Sequence, residues 1–198
     1  PPCEPTRVTC VDEATQALRL GTASNPGEIT NSHDGCAFTS TIDGTRAGGG
    51  GGGSLRYSYV YARFDEFDGL QKVELDDAGA FESMDWDIAF RRTGIRLNGG
   101  DSGPSCVRAT RAPPELVFDD VFTSDLVSDP AAWRTDDFLS PICTYIPDGS
   151  GLEQPSTVLS GYFELRNCMT MRGFTYLVRL RSGRSVKLRI DGVYTEAD

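Results

Sequence analysis

The sequence predicts an all-β, mainly antiparallel fold with little helix, long loops and disulfide staples, arranged as a curled sheet or a sandwich. Three observations predict it. Apolar and polar residues alternate along several short segments, helical periodicity is nearly absent, and six cysteines are scattered among glycine- and proline-rich connections. With 198 residues the chain is long enough to bury a core of its own. The reading divides it into an irregular, cysteine-pinned segment, 1–36, and a single β domain, 37–198.

Within the lead-in, residues 11–20 (VDEATQALRL) suit a short helix. AFTSTI at 37–42 reads as a strand, and Gly48 to Gly53 form an unbroken glycine run that has nothing to pack and reads as a loop. Residues 55–64 (LRYSYVYARF) alternate strictly, with Tyr57, Tyr59 and Tyr61 on one face and Ser58, Val60, Ala62 and Phe64 on the other. Acidic turns bracket a further strand at 70–75. Trp86, Ile88 and Phe90 alternate along the next, and the apolar parity changes at Gly94, as a bulge or bend at Thr93-Gly94 would require. From 99 to 155 proline is frequent and regular patterning sparse; 115–122 and 138–146 suit short strands, and 128–138 a helical turn. The clearest hairpin closes the chain: Phe174, Tyr176, Val178 and Leu180 alternate up to a turn at 181–184, and Val186, Leu188 and Ile190 alternate after it.

Charge and cysteine usage narrow the function classes. Nineteen basic against 29 acidic residues give a net charge of -10, which argues against nucleic acid and anionic membrane surfaces as partners. No apolar run approaches the roughly 20 residues of a membrane-spanning helix, and the opening PPCEPTRVTC reads as the start of a processed chain. Cys3, Cys10, Cys36, Cys106, Cys143 and Cys168 form no CxxC pair of the zinc type, so they read as disulfides of an extracytoplasmic protein, whether secreted, periplasmic or on the outer surface. Their pairing is open: Cys3 with Cys10 would be a local clip, and the other four would staple long loops. Cys3 is also the position for a lipid anchor, although Pro1 and Pro2 do not suit a lipidation cleavage.

Several constellations could carry chemistry. Gly100-Asp101-Ser102-Gly103-Pro104 looks like the nucleophile loop of a serine protease, but the single histidine, His33 in NSHDGC, lacks the setting of a general base. The expectation is therefore no enzyme and no catalytic residue. Arg179, Arg181, Lys187 and Arg189 form a basic stripe able to hold ligand carboxylates or to pair with the protein's own acids. Met169 and Met171 share one side of an extended backbone and offer thioether ligands to haem iron or copper, or simply fill a core. Tyr57, Tyr59 and Tyr61 could line an aromatic pocket. Asp85 with Asp87, and Asp148 with Glu153, offer oxygens to a structural calcium ion.

SMDWDIAFRRTGIRLNGGDSGP, with YVYARF and FDGLQKVEL before it and TYLVRLRSGRSVKLRI at the end, resembles the HmuY-like family of bacterial haem-binding lipoproteins over about residues 37–192. The resemblance implies an all-β fold like a cupped hand, haem b as cofactor, His or Met axial ligands, and an outer-membrane receptor that receives the haem. Carried onto this chain, it makes Met169, Met171 and His33 the axial-ligand candidates and places Arg179, Arg181, Lys187 and Arg189 near the propionates. The chain departs from the pattern where a ligand histidine is expected, at Asn167 to Met171, and in its six cysteines. Two functions follow as expectations: a haemophore-like binding protein, or a cell-surface interaction module that keeps the scaffold without haem and binds a protein partner or self-assembles.

Overall fold

The computed structural model describes residues 3–18, 20–35, 37–44, 57–121 and 132–193. The Gly48–Gly53 run and Cys36 lie outside them. The elements follow in the order α1 (Val11–Ala17), β1 (Ile29–Asp34), β2 (Ala37–Ile42), β3 (Val60–Asp65), β4 (Gly69–Val73), α2 (Asp77–Ala80), β5 (Ile88–Arg91) and β6 (Gly94–Leu97). After these come β7 (Arg108–Arg111), a 3-10 turn (Phe118–Asp120), β8 (Phe163–Leu165), β9 (Met169–Met171), β10 (Thr175–Arg179) and β11 (Ser185–Arg189). The class is all-β and antiparallel, with four sheets among the described residues: β1-β2, β4-β3-β5-β6, β11-β10-β7 and β8-β9.

The main core lies where the apolar alternation of the two larger sheets meets. Ala62, Ile88 and Leu97 from the four-stranded sheet join Ala109, Tyr176 and Val178 from the three-stranded one, with Leu159, Tyr162 and Phe163 completing it. The closing hairpin keeps the expected parity: Tyr176 pairs with Leu188 and Val178 with Val186. On the far face of the four-stranded sheet Tyr59, Tyr61, Ala80, Trp86 and Ala89 form a second cluster. Behind the three-stranded sheet, Leu177 packs with Ala112, Val121 and Trp133.

Several local readings are corrected. The boundary set at residue 36 falls between β1 and β2, which pair from Ile29 with Ile42 to Asp34 with Ala37, because the Thr/Ser-rich β1 is exposed along most of its length and carries no apolar period to betray it. At Gly94 there is no bulge but a two-residue hairpin turn, Arg92-Thr93, with Arg92 at φ 52, and Arg91 pairs with Gly94. Trp86 precedes β5 rather than lying in it, and its ring meets Tyr61 edge-on at 4.9 Å on the opposite face from Ile88. The 115–122 segment forms a 3-10 turn at Phe118–Asp120 in place of a strand, and 138–146 contributes only an isolated bridge between Leu139 and Tyr145. Of the 128–138 segment read as a helical turn, 128–131 lie outside the described residues and Ala132 is in a 3-10 conformation, while 133–138 run extended, with Arg134 bridged to Ala109 and Asp136 to Gly100.

Cys3 joins Cys106 and Cys10 joins Cys143, over sequence separations of 103 and 133. The local clip between Cys3 and Cys10 is not formed, and a Cys3 engaged in a disulfide carries no lipid. Cys168 is an exposed free thiol. No helix of the described residues is long and apolar enough to cross a membrane.

Candidate functional site

The protease-like turn is a packing device. Ser102 is fully buried and its hydroxyl donates to Asp136 Oδ2 at 2.5 Å while accepting from Arg96 Nε at 3.2 Å. His33 lies far along the sequence on exposed β1, with its ring against Phe38 at 5.0 Å. The glycines have steric reasons: a Cβ on Gly100, at φ 65, would sit 2.1 Å from the Asp136 carbonyl, and one on Gly103 would sit 2.2 Å from Asn98 Oδ1. Asp136 also accepts from the backbone of Leu97 and Val158. Burial pushes its carboxyl up to about 6, against the opposing pull of the Ser102, Val158 and Leu97 hydrogen bonds and the Arg96 charge.

A second sealed carboxylate anchors the opposite face. Asp77 accepts from Gly21 N at 2.6 Å, Tyr59 N at 3.0 Å and Tyr61 Oη at 2.6 Å, and its own N–H donates to Ser58 Oγ. Tyr59 and Tyr61, expected to line a pocket, are thus core residues, and burial raises both phenols above their ordinary range. Arg96 passes between the two networks, with Tyr59 and Phe81 ring centroids at 4.8 Å and 5.3 Å from its guanidinium. Tyr57 stands apart as an isolated bridge to Ala23.

The haem candidates are not brought together. Met169 and Met171 do share one side of β9, but they are half-buried against the main core, paired with Leu165 and Phe163. A depression of about 200 Å³ opens nearby, lined by Thr93, Ile95, Asp148, Gln154, Tyr162 and Phe163, with neither methionine and no His33 in its wall. Its wall offers hydroxyls, an amide and a carboxylate but no His, Met or Cys ligand for haem iron. The basic stripe meets the protein's own groups. Arg181 reaches Asp85 at 3.6 Å, Arg189 pairs with Asp191, and Lys187 and Arg189 lie 4.5 Å and 4.9 Å from the Phe118 ring centroid. Arg179 stacks on Trp133 at 5.2 Å.

Three of the four calcium candidates are engaged as well, Asp85 by the Arg181 already described. Asp87 is buried and accepts from Phe64 N, and Asp148 Oδ1 accepts from the N–H and hydroxyl of Ser150. Cys10, Glu13 and Cys143 gather within 4.8 Å, but the two sulfurs are bonded to each other and are not thiolate ligands.

What the sequence did not reveal is where donors go unsatisfied. Among the described residues, Tyr176 Oη, Arg179 Nε, Trp133 Nε1 and Arg96 Nη1 are buried without a hydrogen-bond partner. Three of these four belong to the three-stranded sheet or to Trp133 behind it. Tyr176 lies directly across from Arg111, and Arg111 and Arg172 lie 4.4 Å and 5.9 Å from the neighbouring Phe174 ring centroid. A second exposed feature is Ile142, 84% accessible on the turn that the Cys10–Cys143 bridge fastens. No motif marks either feature, because the register of β7 on β10 and the pairing of Cys143 are long-range facts. The sequence matches no protein-family model and no curated protein.

Proposed function

We propose that this chain is a non-catalytic, extracytoplasmic binding module of HmuY-like scaffold that contacts another protein through the Ile142 turn, without haem. The observation that carries the reading is the way this turn is held. Cys143 N donates to Ser140 O at 2.8 Å, Ser140 N to Thr144 O at 2.9 Å and Thr144 N to Ser140 Oγ at 3.0 Å, while the disulfide ties Cys143 to the start of α1. A large apolar side chain displayed on a fastened turn loses little freedom on binding, which is what a preformed contact requires. Two disulfides support an oxidising compartment. Ser102 and both central carboxylates are sealed and committed to holding the chain together, which supports a role other than catalysis.

Haemin titration and sedimentation velocity test the proposal together. The expected result is an unshifted Soret band; a shifted band abolished by Met169→Ala or Met171→Ala would restore the haem reading. Sedimentation from roughly 1 to 100 µM then identifies the partner class. A dimer that dissociates on Ile142→Ser places a second copy on the turn, whereas a monomer throughout rules a second copy out. A dimer indifferent to Ile142→Ser would remove the turn from the interface.

A further inference from the structure

Tyr176 lies beside two arginines, Arg111 across the strand pair and Arg172, that the proposed protein contact does not use. Its side chain is 1% accessible, yet Oη has no hydrogen-bond partner. A buried hydroxyl without a partner is costly, so a group that accepts its hydrogen bond is expected. The groups around it indicate what. Arg111 is the cross-strand neighbour of Tyr176, Phe174 packs edge-on to Tyr176 at 6.5 Å, and the Arg111 and Arg172 guanidiniums both bear on Phe174. Both arginines are exposed and, among the described residues, neither meets a carboxylate within 4.0 Å or donates a side-chain hydrogen bond. In a chain with ten more acids than bases, two adjacent guanidiniums without an acid beside an orphaned phenol form an unusual concentration of donors.

We propose that Arg111, Arg172 and Tyr176 form a binding site for one oxyanionic group of a ligand, a carboxylate or a phosphate. The two guanidiniums supply charge-assisted donors, the Phe174 ring lies against both, and the Tyr176 phenol offers a third donor. The Tyr176 phenol keeps its proton at neutral pH, because burial pushes it up to about 12 despite the two nearby arginines, so it acts as a donor throughout the physiological range. The site lies on the opposite face of the sheet from the Arg179–Trp133 stack, since Arg179 and Tyr176 differ by an odd number of residues on one strand.

The test is calorimetric titration of the full chain, in chloride buffer, with citrate and separately with inorganic phosphate. Saturable binding of at least one anion is expected below about 10 mM, weakened at least about tenfold by Arg111→Gln or Arg172→Gln and about threefold by Tyr176→Phe. Tighter binding of citrate identifies a carboxylate ligand, and tighter binding of phosphate a phosphate ester. Arg166→Gln, which removes an exposed arginine paired with Glu164, is expected to leave the affinity unchanged. Far-ultraviolet circular dichroism of each variant confirms folding. Absence of saturation by either anion overturns the proposal, as does binding that survives both arginine substitutions or falls equally with Arg166→Gln. None of these outcomes depends on Ile142 or on oligomeric state.

Discussion

Around Asp77 and Asp136 every carboxylate oxygen is met by backbone or hydroxyl donors, whereas along the three-stranded sheet Tyr176 and Arg179, with Trp133 behind, each keep a buried polar atom without a partner. Both regions are deeply buried and both contain arginines beside aromatic rings, so burial alone does not distinguish them. Completeness does. A saturated network fixes the chain and offers nothing to a ligand; an unsaturated one close to the surface retains binding capacity. Arg96 Nη1, the one orphaned atom in the saturated region, is enclosed by the Tyr59 and Phe81 rings, whose π faces stand in for an acceptor.

The contrast is broken most severely by Asp77→Ala, which strands the Gly21 and Tyr59 amides and the Tyr61 hydroxyl at once. The expected loss in urea unfolding is about 5 kcal/mol, summed over three buried donors. Next is the double substitution Cys10→Ser, Cys143→Ser, which releases the lead-in from the saturated side; with a sequence separation of 133, the loss expected in the same assay is about 4 kcal/mol.

Asp136 sharpens the comparison through pH. Its folded carboxyl titrates at about 6 against an ordinary value of 3.8, so the folded state holds more protons between those values than the unfolded state does. Its contribution to stability is therefore greatest below about pH 4 and falls by about 3 kcal/mol as the pH rises through 6. Unfolding measured at both ends of this window reads the fall. Asp136→Asn, though less stable overall, is expected to lack that part of the slope; a slope unchanged in the variant would refute the assignment.

The smallest effect is the most diagnostic pair. Tyr61→Phe removes a hydroxyl bonded to Asp77 at 2.6 Å and is expected to cost about 1.5 kcal/mol. Tyr176→Phe removes an orphan, so no hydrogen bond is lost, and relief of the buried hydroxyl is expected to raise stability by about 1 kcal/mol. Equal costs at the two positions would mean that Tyr176 has a partner in the folded chain.

The same distinction explains how much was legible in the sequence. Alternation revealed β3, β5 and the β10–β11 hairpin, because each buries one face and every second residue records it. It could not reveal β1, whose exposed Thr, Ser and Asn residues have no buried face, nor the isolated bridges of 133–147, which are held by Asp101, Asp136 and the disulfide rather than by a period. The parity of Tyr59 and Tyr61 was correct, but alternation cannot say whether a face is wet or covered; α2 and Trp86 cover this one. The basic stripe was visible and its partners were not, since Phe118, Trp133 and Asp85 come from segments with no patterned relation to the hairpin. Arg111 was passed over for the opposite reason: as one arginine in an irregular segment it gains meaning only once β7 is registered on β10.

The two long disulfides also impose an order of events on a chain that emerges from its amino terminus. Cys3 and Cys10 lie close together in the sequence, while their native partners follow 103 and 133 residues later. In an oxidising space these two thiols meet each other sooner than anything else, because short loops close within roughly 10–100 ns and at the lowest entropic cost. Native pairing is then expected to proceed by exchange out of a Cys3–Cys10 bridge, which acid-quenched samples from the first moments of oxidative refolding would contain. A thiol–disulfide isomerase should speed the recovery of native protein more than the addition of oxidant does.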